Sequence, residues 1–259
     1  MTKERVIFVS NDDGISAKGL RCLVSELMEL GKVYVVAPED QRSGTSQSLT
    51  VSMPLFAKKV DFMPGVEAFT VSGTPADCAK LGLTTLLPVK PDLVVSGINH
   101  GRNTGMNIMY SGTIAVATEG MLAGIRSMSI SLADYTPDAD FEASAFFGKK
   151  IAAIMLDKCP QDAGFLFNVN VPTGKIEEIK GVKITDCSRA EWVDRYEKYV
   201  SPFGAECYWY NGEYRILDDS PDTDDVAVDN GYIAISPLKK EYFSKKYVDM
   251  VSEMFNSGM

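Results

Sequence analysis

Val6-Ile7-Phe8-Val9-Ser10-Asn11-Asp12-Asp13-Gly14 decides the architecture of this 259-residue chain. Four consecutive apolar residues suit a strand covered on both faces, as in a parallel sheet flanked by helices. Two adjacent carboxylates then stand at its carboxyl end. Unit charges about 4 Å apart at an effective dielectric near 20 repel by roughly 4 kcal/mol. A divalent cation is the simplest agent to offset that repulsion. An acidic turn or helix N-cap is the other reading of a bare Asp-Asp-Gly.

Outward from this stretch the pattern is strand, helix, strand. Leu20, Leu23, Val24, Leu27 and Met28 recur at helical spacing, and Gly31 is read as the helix end. Val33 to Ala37 reads as the second strand, stopped by Pro38, which implies a parallel pair with a right-handed crossover. Gln41 to Thr50 reads as a loop, and Leu49 to Val71 as an irregular β excursion interrupted by Pro54 and Pro64. Thr74-Pro75 opens a helix through Leu87, with proline at the first helical position. Asp92 to Ser96 is another buried strand, followed by a Gly/Asn-rich loop from Gly97 to Asn107. Ser111-Gly112-Thr113 opens a helix through Ala123; Ser127 to Leu132, Asp140 to Leu156 and Phe165 to Val171 give a strand, a helix and a last core strand.

The texture changes after Pro172. Residues 1–172 are expected to form the α/β core that carries the site, and residues 173–259 a C-terminal extension of the same domain. Tyr208 to Ile216 signals a hairpin with Asn211-Gly212 at its turn. Asp218 to Asp229 carries six aspartates and reads as a solvated loop. Lys239 to Phe255 reads as an amphipathic terminal helix with Tyr242, Phe243, Tyr247, Met250, Val251 and Met254 on one side, facing either another subunit or its own core.

Composition narrows the chemistry. A net charge of -9 argues against grip on a nucleic-acid polymer, although a mononucleotide held through a metal stays possible. Five cysteines without a Cys-x-x-Cys, and no secretory signal ahead of the first strand, fit a reducing cytoplasm. No apolar run reaches the ~18 residues of a membrane span. A single histidine, His100, excludes sites built on two or three histidines of one chain. Neither Gly-x-x-x-x-Gly-Lys-Ser/Thr nor Gly-x-Gly-x-x-Gly occurs.

In open α/β sheets ligands sit beyond the carboxyl ends of the strands. Asp12 and Asp13, then Ser43-Gly44, then Ser96-Gly97-Ile98-Asn99 all fall there. Asp12, Asp13, Ser43 and Asn99 make an oxygen-only set that suits Mg²⁺ or Mn²⁺. Gly14 permits the turn that lets both carboxylates share one ion. Ser111-Gly112-Thr113 at a helix N-terminus is a seat for phosphate, or an ordinary N-cap. Gly44, Gly97, Gly101 and Gly105 allow close backbone approach, or simply turn the chain. His100 adjoins Asn99, in reach to protonate a leaving group, or is an idle loop histidine.

Together these segments resemble the SurE family, the survival-protein-E nucleotidases. The matching pieces are Val9 to Gly14, Val36-Ala37-Pro38 with Gln41 to Gly44, Ser72 to Cys78, Asp92 to Asn99, Gly101 with Asn103, and Tyr110 to Thr113. Asn168 to Pro172, Asp229 with Gly231-Tyr232, and Ser236-Pro237-Leu238 extend the match nearly end to end. Ala115 to Gly120 follows the family's small-residue helix only loosely.

The resemblance implies an α/β fold with a Rossmann-like parallel-sheet core in three layers, a β-hairpin extension and a C-terminal helix for oligomerisation. It also implies a phosphoric monoester hydrolase acting on nucleoside 5′- and 3′-monophosphates, with short polyphosphate as a further substrate. One divalent ion per subunit, Mg²⁺ or Mn²⁺, is expected on Asp12, Asp13, Ser43 and Asn99. Asn11, Gly44, Asn99, Ser111, Gly112 and Thr113 are expected to hold phosphate, and Asp12 or Asp13 to take the proton of the attacking water. Homodimers or homotetramers with exchanged C-terminal segments are expected, with no membrane partner. Two rivals belong to other classes. One is a nucleotide-binding regulator without turnover. The other is a signalling receiver domain, against which Gly97 stands where its phosphoacceptor aspartate belongs.

Overall fold

The computed structural model describes residues 4–239 and 245–256. The strands and helices follow in the order β1 (Val6–Ser10), α1 (Lys18–Leu27), β2 (Lys32–Pro38), β3 (Ala57–Val60), β4 (Glu67–Val71), α2 (Pro75–Leu81), β5 (Leu93–His100), α3 (Gly112–Leu122), β6 (Arg126–Leu132), α4 (Glu142–Lys158) and β7 (Phe165–Val171). Then come β8 (Val182–Ile184), β9 (Ala190–Val193), β10 (Tyr196–Val200), β11 (Glu206–Tyr210), β12 (Glu213–Ile216), α5 (Asp224–Asp229), β13 (Ile233–Lys239) and α6 (Lys245–Asn256).

The central sheet has the strand order β3-β4-β2-β1-β5-β6-β7-β13-β8. Its middle six strands, β4 to β7, run parallel. Helices α1 and α4 pack together on one face, α2 and α3 on the other. The pleat explains the continuous apolar run of β1: Ile7 and Val9 enter the α1/α4 core, while Phe8 enters the α2/α3 core. The three-layer α/β architecture is therefore the one the sequence implies.

The chain moves from β1 to β2 on one side of β1, and later places β5 on its other side. The carboxyl ends of β1 and β5 thus flank the point where strand order reverses, the crevice that open α/β sheets use for ligands.

Several local expectations differ from the structure. Helix α1 stops at Leu27, ahead of Gly31; a side chain at Gly31 would overlap the Arg5 carbonyl, so that glycine serves a close approach to the start of β1. Pro38 is the last residue of β2, so the strand does stop there, and its carbonyl accepts the Ile15 N–H. The irregular β stretch from Leu49 to Val71 joins the main sheet, since β4 pairs parallel with β2 and β3 closes that edge antiparallel. Helix α2 ends at Leu81 and is continued to Leu86 by a wider π-type turn. Strand β5 runs on through the supposed loop to His100, with a register shift between Ser96 and Asn99.

Phe165–Val171 is not the last core strand. β13 pairs antiparallel with β7 and carries β8 beyond it, so the sheet continues past residue 172. The hairpin expected over Tyr208 to Ile216 does not form, because its two arms, β11 and β12, pair with other strands. β10 pairs with β11 around Ser201–Ala205, while β9 pairs with β12, and Asn211-Gly212 sits at the joint between the two ladders. Packing decides this: a side chain on Gly212 would run into the Tyr210 hydroxyl and the Trp192 ring. Tyr242 and Phe243 lie outside the described residues.

Phe8→Ala tests the two-sided burial of β1. Phe8 is fully buried, and its truncation is expected to cost about 3–5 kcal/mol. A thermal melt reads this as a drop of roughly 10 °C for a chain of this size.

Candidate active site

The acid doublet sits directly beyond β1. Gly14, with φ of +91°, turns the chain there, and its carbonyl accepts from Asn11 Nδ2 at 3.0 Å. That bond uses Asn11 to close the turn; the side chain is fully buried. Asp12 is 4% exposed. Its Oδ1 accepts the Thr113 hydroxyl, and Thr113 Oγ1 also stands 3.4 Å from Asn99 Oδ1. Asp13 Oδ2 accepts the His100 backbone N–H at 3.2 Å, and its Oδ1 lies 3.5 Å from Gln41 Nε2. The same Gln41 amide donates to Ser43 Oγ at 2.9 Å. The adjacent Asp12 and Asp13 are thereby tied into one cluster with Ser43 and Asn99 from distant parts of the sequence.

The orientation of Asn99 follows from its other bond. Its amide nitrogen donates to the Gly101 carbonyl at 2.7 Å, which turns the side-chain oxygen toward Thr113 and Asp12. The loop carrying Ser43 and Gly44 is fixed in turn, since Ser46 donates its N–H to the Tyr110 carbonyl at 3.0 Å and its hydroxyl to the Met109 carbonyl at 2.6 Å.

Helix α3 points its amino end at Asp12. Ser111 is its N-cap and accepts the Ile114 N–H at 3.1 Å, which leaves the amides of Gly112 and Thr113 at the helix mouth. A Cβ at Gly112 would stand 2.8 Å from Asp12 Cβ and 2.9 Å from Pro75 Cγ, so glycine is what lets the helix approach.

Burial pushes the Asp12 carboxyl up to about 6; proximity to Asp13 adds to this, and the Thr113 hydroxyl opposes it. Burial also raises Asp13, against the His100 N–H and its ring. Among the described residues no lysine or arginine pairs with either carboxylate. No group of three or more His, Cys, Asp or Glu side chains gathers as a metal cluster among them. Here two carboxylates are joined by an amide oxygen and a hydroxyl instead, a hard-oxygen set that fits a divalent ion with water completing its shell.

A cavity of about 550 Å³ opens over these groups. Asp12, Ser43, Gly44, Asn99, His100 and Ser111 line it. Asn11, Gly112 and Thr113 do not line it; they stand behind Asp12 or at the base of α3. His100 is the end of a strand and not a free loop residue, and its Nε2 is buried with no partner among the described residues.

The sequence reading missed the opposite wall, made of Arg102, Tyr135, Trp192 and Tyr214. It also missed what builds that wall. Asp224 and Asp225, read as part of a solvated loop, are fully buried. Asp224 accepts the N–H groups of Gly105 at 3.0 Å and Ser188 at 2.8 Å. Asp225 accepts the Thr104 hydroxyl at 2.5 Å, the Tyr214 hydroxyl at 2.8 Å and the Ser188 hydroxyl. Arg102 pairs with Asp229 at 2.7 Å and with Asp225 at 3.4 Å. The signal in the sequence was the pair itself beside Val226-Ala227-Val228, an apolar run inside an acidic stretch.

Asp12 gives a test of the burial cost. Its folded-state pKa lies above the ordinary 3.8, so the cost is absent below about pH 4 and complete above pH 6. Roughly 3 kcal/mol is at stake. In chelator, Asp12→Asn is expected to melt several degrees above the parent at pH 8, with the gain gone at pH 4. A lower melting temperature for the variant at pH 8 would show that the carboxylate is not carrying an uncompensated charge.

Known proteins resemble this chain along most of its length. The profile described as "Survival protein SurE" matches residues 7–194. The 5′-nucleotidase SurE of Christiangramia forsetii is 40% identical over 252 residues, covering 96% of both chains. That of Flavobacterium psychrophilum is 42% identical over 235 residues, covering 90% of this chain and 91% of its own. The crystal structure of the SurE protein from Aquifex aeolicus superposes with a TM-score of 0.82 at 36% identity, covering 96% of this chain and 99% of that one. With a profile across most of its length and relatives near 40% identity end to end, this chain belongs to the SurE family.

Proposed function

We propose that this 5′-nucleotidase-type enzyme is a metal-dependent phosphomonoesterase, hydrolysing nucleoside 5′- and 3′-monophosphates, and short polyphosphate, with release of inorganic phosphate. One observation carries the reading. Two adjacent, largely buried carboxylates stand at the strand-order reversal, clustered with oxygens of Asn99 and Ser43 under a helix N-terminus. The curated relatives, named 5′-nucleotidase SurE, support the nucleotidase class.

Asp12, Asp13, Ser43 and Asn99 would hold one Mg²⁺ or Mn²⁺ per subunit. When bound, such an ion supplies Lewis-acid polarisation of a phosphoryl oxygen and lowers the pKa of water. The chain's own groups do the rest. The Gly112 and Thr113 amides, with Ser111 and the backbone at Gly44, offset charge on the equatorial oxygens. Asp12 or Asp13 takes the proton of the attacking water. Asn99 holds the phosphoryl group in line from the β5 side, and Asn11 fixes the turn beneath it. His100, which lines the cavity, would protonate the leaving oxygen.

The proposal includes a reducing cytoplasm, consistent with five unpaired cysteines. Among the described residues no helix is long and apolar enough to cross a membrane. It also includes a second copy of the chain as the partner of α6, whose Tyr247, Val248, Met250, Val251 and Met254 are all exposed.

Phosphate release from adenosine 5′- and 3′-monophosphate and from tripolyphosphate, with Mn²⁺ or with chelator, tests the activity. Release is expected with the ion and lost with chelator. Asp12→Asn is expected to lower turnover by roughly 100-fold or more and to weaken Mn²⁺ binding in calorimetry. Near-native turnover of that variant would overturn the assignment.

Truncation after Lys239 is expected to lower the assembly mass in light scattering. An unchanged mass would remove α6 from the interface.

A further inference from the structure

The buried acid pair at the start of α5 has no part in the chemistry above, yet it is densely bonded. Asp225 takes donors from three separate segments. Arg102 and Thr104 come from the loop after β5, Ser188 from the approach to β9, and Tyr214 from β12. Two of those donors, Arg102 and Tyr214, line the candidate cavity, and Asp225 itself does not. The loop side is pinned a second time, since Gly105 N–H donates to the neighbouring Asp224. Trp192 on β9 is tied to the same region through its Nε1–H to Asn107 Oδ1 at 2.8 Å, and its ring lies 5.4 Å from that of Tyr214.

We propose that Asp225 is a positioning residue for the nucleoside half of the substrate. This rests on the reading that the substrate is a nucleoside monophosphate. A cavity of about 550 Å³ is far larger than a phosphate group needs, so sugar and base occupy the remainder. The wall they meet is Arg102, Tyr135, Trp192 and Tyr214: aromatic faces for stacking, and one guanidinium. Arg102 is a long side chain with much rotamer freedom. Held by Asp225 and Asp229, it is ordered before substrate arrives, and so is Tyr214. Such pre-ordering lowers what binding must organise. The phosphate seat at Ser111 to Thr113 and the acid doublet share no bond with Asp225, so the two halves of the site are separable.

The experiment compares Asp225→Asn with the parent at saturating Mn²⁺, measuring kcat and KM for adenosine 5′-monophosphate and Ki for inorganic phosphate. The substitution keeps the shape but replaces one acceptor oxygen by a donor. KM is expected to rise about tenfold, with kcat and the phosphate Ki unchanged. An unchanged KM would overturn the proposal. So would an equal rise in KM and in the phosphate Ki, which marks general loosening of the fold.

Should Asp225→Asn fail to fold, Ser188→Ala carries the same test. It removes one donor outside the cavity and is expected to raise KM several-fold with the phosphate Ki held; no change would overturn the idea. A parent protein that releases no phosphate from adenosine monophosphate sinks the functional reading instead. In that case calorimetric affinities for the nucleotide and for phosphate judge Asp225 on the same two variants.

Discussion

An ionised carboxylate held out of water beneath the amino end of a helix is the constraint on which this structure turns. Asp12 is almost fully buried, has the charge of Asp13 nearby in the next position, and finds its favourable contacts in the Thr113 hydroxyl, the mouth of α3 and its own backbone N–H. A helix N-terminus contributes at most about 2 kcal/mol toward such a charge, and the Thr113 hydroxyl somewhat less than a charged donor would. That falls short of what burial beside a second carboxylate demands, so the site is built with an electrostatic deficit. The rest of the fold holds that deficit in place. Gly14 turns the chain, Gly112 admits the helix, and the two-sided core around Ile7, Phe8 and Val9 fixes where β1 ends.

The polar groups packed around residues 101–105 solve a different problem. Loop 101–105 must reach from the end of β5 toward the hairpin arm while its backbone is buried. Asn168 and Asn170 on β7 do this from one side: both side-chain amides donate to the Asn103 carbonyl, and Asn170 Oδ1 accepts the Asn103 N–H. Asn103 Nδ2 in turn donates to Ser131 Oγ. Asp224 and Asp225 do it from the other side. Asn103, Asn168, Asn170, Asp224 and Asp225 find their partners in a network that no single element could supply, and a network of this kind rigidifies what it encloses. One wall of the cavity is thus set by the strands that carry the acid doublet and Asn99, and the other by a peripheral arm, with buried side chains joining them.

Much of this was legible from residues alone. The apolar run before Asp12, the proline at the first position of α2 and the Ser-Gly-Thr opening of α3 are local signals. Each depends only on what the chain does within a few residues, and the structure follows them closely. The readings that failed were those whose outcome depends on distant partners. Gly97 to His100 looks like loop because it holds glycine and asparagine, yet β6 pairs with it across a register shift. Asn211-Gly212 has the composition of a two-residue turn, yet aromatic packing by Trp192 and Tyr210 makes it a joint in a longer ribbon. The acidic stretch looks solvated because charge normally is, and only donors from residues 102–105, 188 and 214 make burial of Asp224 and Asp225 tolerable.

The sequence by itself determined the parallel α/β core, the position of the acid doublet at the end of its first strand, and the family to which these motifs point. It could do so because strand periodicity, helix caps and turn chemistry are short-range properties of the chain. Tertiary structure decided which strands stand beside β1, and hence where the crevice lies. It decided that β13 returns to β7 to widen the sheet, and that two aspartates near the end of the chain help to build the far wall of the cavity. Those outcomes require segments that are remote in sequence to meet, 86 residues apart where Ile7 pairs with Leu93 and 121 apart where Thr104 meets Asp225, and whether a charge is buried or solvated is settled only by the donors that reach it.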